Sequence, residues 1–131
     1  MNPSKFEIMQ KEFEEAVQGL EEVLQKPKDE FMRDSAIKRF ELAFDLAWKS
    51  TKAFSEKEGL SCTSPVSCFK EAYRQGLIGY DDIWIKGFVE TRNKTVHTYD
   101  EKLAEEVYAA LPNILESFRK LLKFLEDASH E

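Results

Sequence analysis

The residues best suited to chemistry lie in one stretch, which reads TRNKTVHTYD from Thr91 to Asp100. Arg92 brings a permanent positive charge whose planar fork of donors fits a phosphate. His97 carries the side chain that most readily exchanges a proton near neutral pH. Tyr99 carries a hydroxyl group that can donate, accept or be modified. A guanidinium, an imidazole and a phenol this close in sequence suit gripping or cutting a phosphodiester without a metal ion.

These three side chains can meet only if the helix is interrupted between them. On one continuous helix Arg92 and His97 would lie about 140° apart around the axis. Thr98 and Glu101 fit the capping-box pattern, with Thr98 as the N-cap and Glu101 as its partner. We therefore predict that a helix ends near Arg92, that His97 lies in a corner, and that Tyr99 falls in the first turn of the next helix.

The same spacing also fits roles without chemistry. Arg92 can form a surface ion pair with an acid, and His97 can be a corner residue satisfied by a carbonyl group. Tyr99 can pack its ring against the corner as a helix-start residue. Because an arginine and a histidine at this spacing often occur by accident, spacing alone does not decide between the alternatives.

The motif R-x4-H-x-Y that starts at Arg92 resembles the signature of the HEPN superfamily (higher eukaryotes and prokaryotes nucleotide-binding). The run GLI from Gly76, then Trp84, then RNKTVHTYDEKLA resembles its nucleotidyltransferase substrate-binding branch, the partners of minimal nucleotidyltransferases. An upstream block, RDSAIKRFE from Arg33 followed by FDLAWK, is similar to that branch as well. The resemblance spans about residues 30 to 110.

This resemblance implies a metal-independent endoribonuclease, the toxin of a toxin–antitoxin pair. Arg92 would stabilise charge on the phosphorane, and His97 would take or give a proton. Asn93 and Lys94 would support binding. The family forms homodimers in which two motifs face one cleft, so two copies of His97 would be available. The partner nucleotidyltransferase, acting as the antitoxin, would transfer AMP to Tyr99, where bulk and negative charge would compete with the RNA phosphate.

A second interpretation is a non-catalytic adaptor, since the branch is named for binding the substrate of a separate nucleotidyltransferase. The cleft of Arg92 and His97 would then hold a nucleotide or a substrate phosphate without cutting it. The chain lacks the Gly-Ser and paired aspartates of nucleotidyltransferases, so we do not expect it to transfer nucleotides itself. A helical bundle without any ligand is a third possibility. The sequence also leaves open whether Glu41 or Asp45 reaches Arg92 and orients its guanidinium.

Size and charge limit the remaining choices. The 131 residues fit a single helical domain, residues 1–131, with a sizeable core. The net charge of −6 disfavours general nucleic-acid binding. DNA is therefore not expected as a ligand, and an RNA site needs a local positive patch, for which Arg92, Lys94 and Lys86 are the best candidates. The acidic balance also suits a basic partner protein.

The two cysteines, Cys62 and Cys68, have no second pair, so a zinc site is not expected, nor is any other metal or cofactor. In a chain with an adequate core we predict reduced thiols, in the cytoplasm. There is no N-terminal apolar run of signal length and no span near 20 apolar residues, so we expect no membrane association.

Apolar residues at steps of three and four predict helices, and 5 glycines and 4 prolines argue against a turn-rich β fold. Ser64 and Pro65 mark a helix start, and Pro112 is expected to bend the last helix or split it in two. We predict an all-α, HEPN-like, antiparallel bundle of four or five helices, up-and-down with a short extra helix. The predicted spans are about Asn2–Gln25, Asp29–Lys57, Pro65–Gln75, Tyr80 or Asp81 to Asn93 or Lys94, and Tyr99–Asp127.

Overall fold

The computed structural model describes residues 2–79 and 83–129, apart from the side chain of Ile85. No strand occurs in those two ranges, so the predicted all-α fold is confirmed. The predicted helix start at Tyr80 or Asp81 lies outside them. In chain order the elements are α1 (Lys5–Leu24), α2 (Glu30–Lys57), α3 (Pro65–Arg74), a π-helical segment (Ile83–Phe88), α4 (Val89–Lys94), a 3-10 turn (Thr95–His97) and α5 (Glu101–Ser129).

The first two helices form an antiparallel pair. Lys5 Nζ lies 3.7 Å from Glu56 Oε2, which places the start of α1 beside the end of α2. Nearer the loop that joins α1 to α2, Arg39 Nη1 donates to the carbonyl of Gly19 at 3.0 Å. Asp29 caps α2 by accepting a hydrogen bond from a backbone amide in its first turn. The predicted bounds of α2 are therefore confirmed to within one residue.

Each long helix buries one stripe and exposes a charged face. The stripe of α1, for example, consists of six buried side chains: Phe6, Phe13, Ala16, Val17, Leu20 and Val23. The acidic residues between them are mostly exposed. Among the helices of residues 2–79 and 83–129, none is both long enough and apolar enough to pass through a bilayer.

The core is centred on the ring of Phe118 in α5. Its centroid lies within 6.4 Å of the rings of Phe13, Phe40, Trp84 and Phe88. Because α1, α2, α5 and the π-helical segment all contribute to this cluster, aromatic packing holds the segment that leads into α4. The position of α4 is therefore set by the core rather than by its own six residues.

α5 runs from Glu101 to Ser129 without a break at Pro112. The predicted possibility that Pro112 splits this helix in two is wrong. Pro112 is exposed, and Leu111 and Ile114 on either side of it are buried in the core. Packing on both sides of the proline holds the helix together despite the lost backbone hydrogen bond.

Cys62 and Cys68 form a disulfide, so the prediction of reduced thiols is wrong. Gly59, at φ 80°, turns the chain after α2, and Ser64 then caps α3. As a result the two cysteine Cα atoms lie 5.0 Å apart, within the range that a disulfide spans. Spacing in the sequence did not show this approach, because it depends on how the connection folds.

Candidate functional site

The corner between α4 and α5 carries the three side chains singled out in the sequence. α4 ends at Lys94, the 3-10 turn covers Thr95–His97, and α5 begins at Glu101. The expected interruption between Arg92 and Tyr99 is therefore present.

The cap of α5 differs from the one we predicted. Asp100 Oδ1 accepts hydrogen bonds from the backbone amides of Lys102 at 2.9 Å and Leu103 at 3.4 Å. The hydroxyl of Thr98 instead donates to the carbonyl of Thr95 at 3.1 Å. The predicted N-cap at Thr98 is wrong, since Thr98 satisfies the end of the 3-10 turn and aspartate is at least as good an N-cap. Tyr99 therefore lies before the helix and not in its first turn.

Glu101, the other half of the predicted capping box, pairs with the buried Arg33 of α2. Arg33 is only 4% exposed. Its Nη1 donates to Glu101 at 2.6 Å and to Glu105 at 3.1 Å, and its Nε donates to Asp34 at 3.1 Å. Lys28 also pairs with Glu105. This network holds the start of α5 against the start of α2.

The network changes the acidity of its members. Hydrogen bonds from Arg33 lower the pKa of Glu101. Hydrogen bonds from Lys28, and then from Arg33, lower the pKa of Glu105. The two carboxylates in turn raise the pKa of Arg33. All three groups are therefore held in their charged forms.

In the sequence Arg33 was noted only as the first residue of the block RDSAIKRFE, and its structural role was not predicted. One signal was available in the sequence. Arg33 precedes Ala36, Ile37 and Phe40 at helical spacing, so it falls on the buried stripe of α2. A buried arginine needs carboxylate partners.

Arg92 is oriented by its own turn. Its Nη1 donates to Thr95 Oγ1 at 2.8 Å, and that hydroxyl donates to the backbone carbonyl of Arg92 at 2.7 Å. Thr95 is buried. No carboxylate in the described ranges lies within 4.0 Å of the guanidinium, so it has no ion pair there. The charge of Arg92 remains available to an anion.

His97 and Tyr99 lie side by side on the surface. His97 Nδ1 is 3.3 Å from the Tyr99 hydroxyl oxygen, and the ring centroids are 5.9 Å apart in an edge-on arrangement. Tyr99 is 84% exposed. Within the residues described, the imidazole contacts this phenol rather than a carbonyl group.

Two neighbouring recesses along α2 divide the site. The first, which we call the Arg92 recess, is lined by Phe44, Asp45, Trp48, Pro65, Val89, Arg92 and Asn93. The second, the Tyr99 recess, is lined by Asp34, Ile37, Lys38, Glu41, Thr98 and Tyr99. Glu41 and Asp45 are about one helical turn apart, so the two recesses follow each other along α2. The structure thus brings His97 and Tyr99 together but puts Arg92 and Tyr99 in separate recesses.

Neither Glu41 nor Asp45 of α2 orients the Arg92 guanidinium through an ion pair. Asp45 lines the Arg92 recess but pairs with Lys49, at 2.9 Å. Glu41 lines the Tyr99 recess. Asn93 and Lys94, the predicted supporting residues, are both exposed.

Residues 2–79 and 83–129 contain no group of three or more histidine, cysteine, aspartate or glutamate side chains placed to hold a metal ion.

Known proteins share this fold. A crystal structure of a Thermus thermophilus protein superposes with a TM-score of 0.80 at 34% identity, covering 86% of this chain and 98% of that one. A Haemophilus influenzae structure, described as revealing the fold of a substrate binding domain of a nucleotidyltransferase, superposes with a TM-score of 0.75 at 24% identity. It covers 93% of this chain and 99% of that one. At this lower identity the likeness shows the fold alone.

Sequence relatives point in the same direction. A protein named probable ribonuclease HepT, from Haemophilus influenzae, is 33% identical over 86 residues. That match covers 61% of this chain and 58% of the relative, less than two thirds of its length. A family profile described as nucleotidyltransferase substrate binding protein like matches residues 6–127. Because that profile spans nearly the whole sequence, the chain belongs to the nucleotidyltransferase substrate-binding protein family of the HEPN superfamily.

Proposed function

We propose that this protein is a toxin-like, metal-independent endoribonuclease of the cytoplasm and the partner of a separate minimal nucleotidyltransferase that controls it by adenylylating Tyr99. The observation that carries the proposal is the exposed contact between His97 and Tyr99, just beyond Arg92 in the chain. Membership of the family supports a nucleotidyltransferase partner. The relative named probable ribonuclease HepT supports RNA cleavage.

The chemistry follows from two side chains. His97 takes the proton of a ribose 2′-hydroxyl, the 2′-oxygen attacks phosphorus, and the bond to the 5′-oxygen breaks. The products are a 2′,3′-cyclic phosphate and a 5′-hydroxyl that receives a proton. Arg92 stabilises the negative charge that builds on the phosphorane, and the exposed Asn93 and Lys94 help to hold the strand.

One histidine does not readily serve both proton transfers at once. A homodimer with two facing motifs supplies a second His97 as the acid for the leaving oxygen. Within one chain the Arg92 recess is separate from the Tyr99 recess. His97 contacts Tyr99 and therefore lies on the side of the Tyr99 recess. Pairing therefore also gives Arg92 of one subunit a route to the phosphate that His97 of the other acts on.

Tyr99 provides the control point. Its hydroxyl loses its proton to solvent or to a base of the partner enzyme, and the oxygen attacks the α-phosphorus of ATP held by that enzyme. Pyrophosphate leaves, and AMP remains on the phenol oxygen. The 84% exposure of Tyr99 makes it accessible to such an enzyme. The added phosphate would lie beside His97, where it competes with the RNA backbone.

We expect His97→Ala to abolish cleavage of single-stranded or transfer RNA and to relieve toxicity on expression, because the variant lacks the proton-transferring group. His130→Ala, which alters the other histidine of the chain, is the matched control and retains activity. Circular dichroism checks that the fold is kept. If purified wild-type protein leaves RNA uncut and its expression is harmless, the ribonuclease proposal is wrong.

We expect co-expression with the neighbouring nucleotidyltransferase to add the mass of AMP to Tyr99, as read by peptide mass spectrometry. Tyr99→Phe should block the modification and leave the protein toxic in the presence of the partner. Tyr73→Phe, at a tyrosine that is 50% exposed on α3, is the control. An unmodified Tyr99 in the presence of active partner and nucleoside triphosphate contradicts this part of the proposal.

A non-catalytic adaptor is the second candidate. It is favoured by one observation, that Arg92 and Tyr99 line different recesses. An adaptor would bind a nucleotide or phosphate at Arg92 and cut nothing. Nucleotide binding that is lost in Arg92→Gln, in a protein that leaves every RNA intact, would select this function.

A further inference from the structure

We propose that the Arg92 recess is a subsite for one nucleotide of single-stranded RNA, with the base against Trp48 and the phosphate on Arg92. That the nucleotide comes from RNA rests on the proposed function. The recess itself, and the pairing of Trp48 with Arg92, rest on geometry alone.

The recess has the size and lining of a small-ligand site. Its volume is about 320 Å³, at the lower end of ligand pockets. Apolar walls come from Phe44, Pro65 and Val89, while Arg92 and Asn93 supply donors on one side. A planar base with one phosphate matches this combination of apolar walls and a cation.

Trp48 differs from the three phenylalanines of α2 that pack into the core. Phe40, Phe44 and Phe54 are at least 95% buried, whereas Trp48 is only partly buried and lines the recess. Its Nε1 donates to Asp45 Oδ1 at 3.3 Å, which orients the indole. An oriented and accessible indole is a stacking surface that accepts any base.

The charge of the recess suits a phosphate. Asp45 is already paired with Lys49 at 2.9 Å, so the charge of Arg92 is not cancelled by the acid beside it. Thr95 holds Nη1 of Arg92, which leaves other guanidinium donors for an anion. This local cation occurs in a protein of net charge −6, where phosphate binding must be local.

Asn93 adds a group that can read a base edge. It is exposed, and it lines the same recess as Trp48. Its amide offers both a donor and an acceptor. Since the Tyr99 recess follows along α2, a nucleotide bound here would lie next to the side chains of Tyr99 and His97.

The test measures binding separately from cleavage. A short, fluorescently labelled 2′-O-methyl RNA has no free 2′-hydroxyl and is not cut, so its affinity is read by anisotropy on the intact protein. We expect Trp48→Leu to weaken binding about tenfold, since stacking on the ring is lost. Arg92→Gln should weaken binding and reduce its salt dependence. Tyr73→Leu and Arg74→Gln, at exposed positions on α3, are the matched controls and should bind as the wild type does.

Two ligand variants identify what the recess holds. An abasic version of the RNA should bind more weakly than the parent and be insensitive to Trp48→Leu. Displacement of the labelled RNA by AMP supports a recess that accepts a free mononucleotide. Failure of AMP to displace it, with Trp48→Leu still weakening RNA binding, supports a recess that needs the polymer.

Folding of the variant does not limit the test. Trp84 is 4% exposed, so quenching of tryptophan fluorescence by RNA in the unaltered protein reports on Trp48. An absence of quenching, or equal affinity of a folded Trp48→Leu and the wild type, overturns the inference. Weakened binding in Trp48→Leu without cleavage of unmodified RNA overturns the ribonuclease proposal alone, and cleavage without any Trp48 effect overturns this inference alone.

Discussion

Arg33 determines where the chemistry-bearing corner lies relative to α2. It is buried, and it bonds to Glu101 and Glu105 in the first two turns of α5. Tyr99 lies only two residues before Glu101. Arg33 is therefore a positioning residue for the corner, although it touches none of the three side chains that we assign to the site.

We expect Arg33→Met to reduce the acid sensitivity of the protein. Arg33 holds the pKa of Glu101 below the ordinary value of 4.5, and Lys28 followed by Arg33 does the same for Glu105. The stabilisation from these carboxylates is therefore complete above pH 4.5 and is lost as the pH falls through the lowered folded pKa values. Wild-type melting temperature should fall more steeply than that of Arg33→Met below about pH 4.5. At pH 7 the variant should melt a few degrees lower.

The control for this comparison is Arg74→Met, because Arg74 is exposed and its partner Glu71 lies three residues away on the same helix. A pair at this spacing on one helix, whose arginine is exposed, contributes little. Equal acid sensitivity of Arg33→Met and the wild type, in thermal melts recorded from pH 7 downwards, would contradict the role of the network.

At the scale of elements, the corner shows how far local patterns predict helix ends. Ser64 caps α3 in the predicted way, with its hydroxyl accepting from the amide of Ser67 and Pro65 as the first helical residue. At α5, Thr98 and Asp100 were both suitable caps within three positions. Thr98 bonds instead to the Thr95 carbonyl of the 3-10 turn, and Glu101 bonds to Arg33. The second of these contacts joins residues that are far apart in sequence.

We expect Asp100→Ala to lower the free energy of unfolding by about 1 kcal/mol, since two backbone amides at the start of α5 lose their acceptor. Thr98→Ala should cost less, because it removes only the bond to the Thr95 carbonyl. Urea titration of both variants gives the comparison. If Thr98→Ala lowers the free energy of unfolding more than Asp100→Ala does, Thr98 and not Asp100 is the N-cap of α5.

At the scale of the whole molecule, the disulfide favours an oxidising compartment, whereas the proposed function places the protein in the cytoplasm. Disulfides persist in oxidising compartments and are rare in the cytoplasm, where RNA is found. Cys62 and Cys68 are both buried, and they join the connection after α2 to α3. Pro65, which lines the Arg92 recess, lies between them.

We expect a thiol reductant to lower the free energy of unfolding by about 2 kcal/mol, because opening this short loop increases the entropy of the unfolded chain. The double variant Cys62→Ala and Cys68→Ala should unfold at the same urea concentration with and without reductant. Alkylation followed by intact-mass measurement reports the state of the thiols. A wild-type protein that shows no change with reductant, although its thiols become alkylated, would contradict the expected stabilisation.

The amino-acid order by itself determined the all-α fold, four of the helices to within a few residues, and the interruption between Arg92 and Tyr99. These follow from apolar periodicity, caps and prolines, which act over a few residues and can be read locally. Only the tertiary structure decided that Arg33 is buried against α5, that Cys62 meets Cys68, and that Arg92 shares a recess with Trp48 while Tyr99 lines another. Those contacts join residues far apart in sequence or depend on how a connection folds, so their energies arise only once the helices have packed.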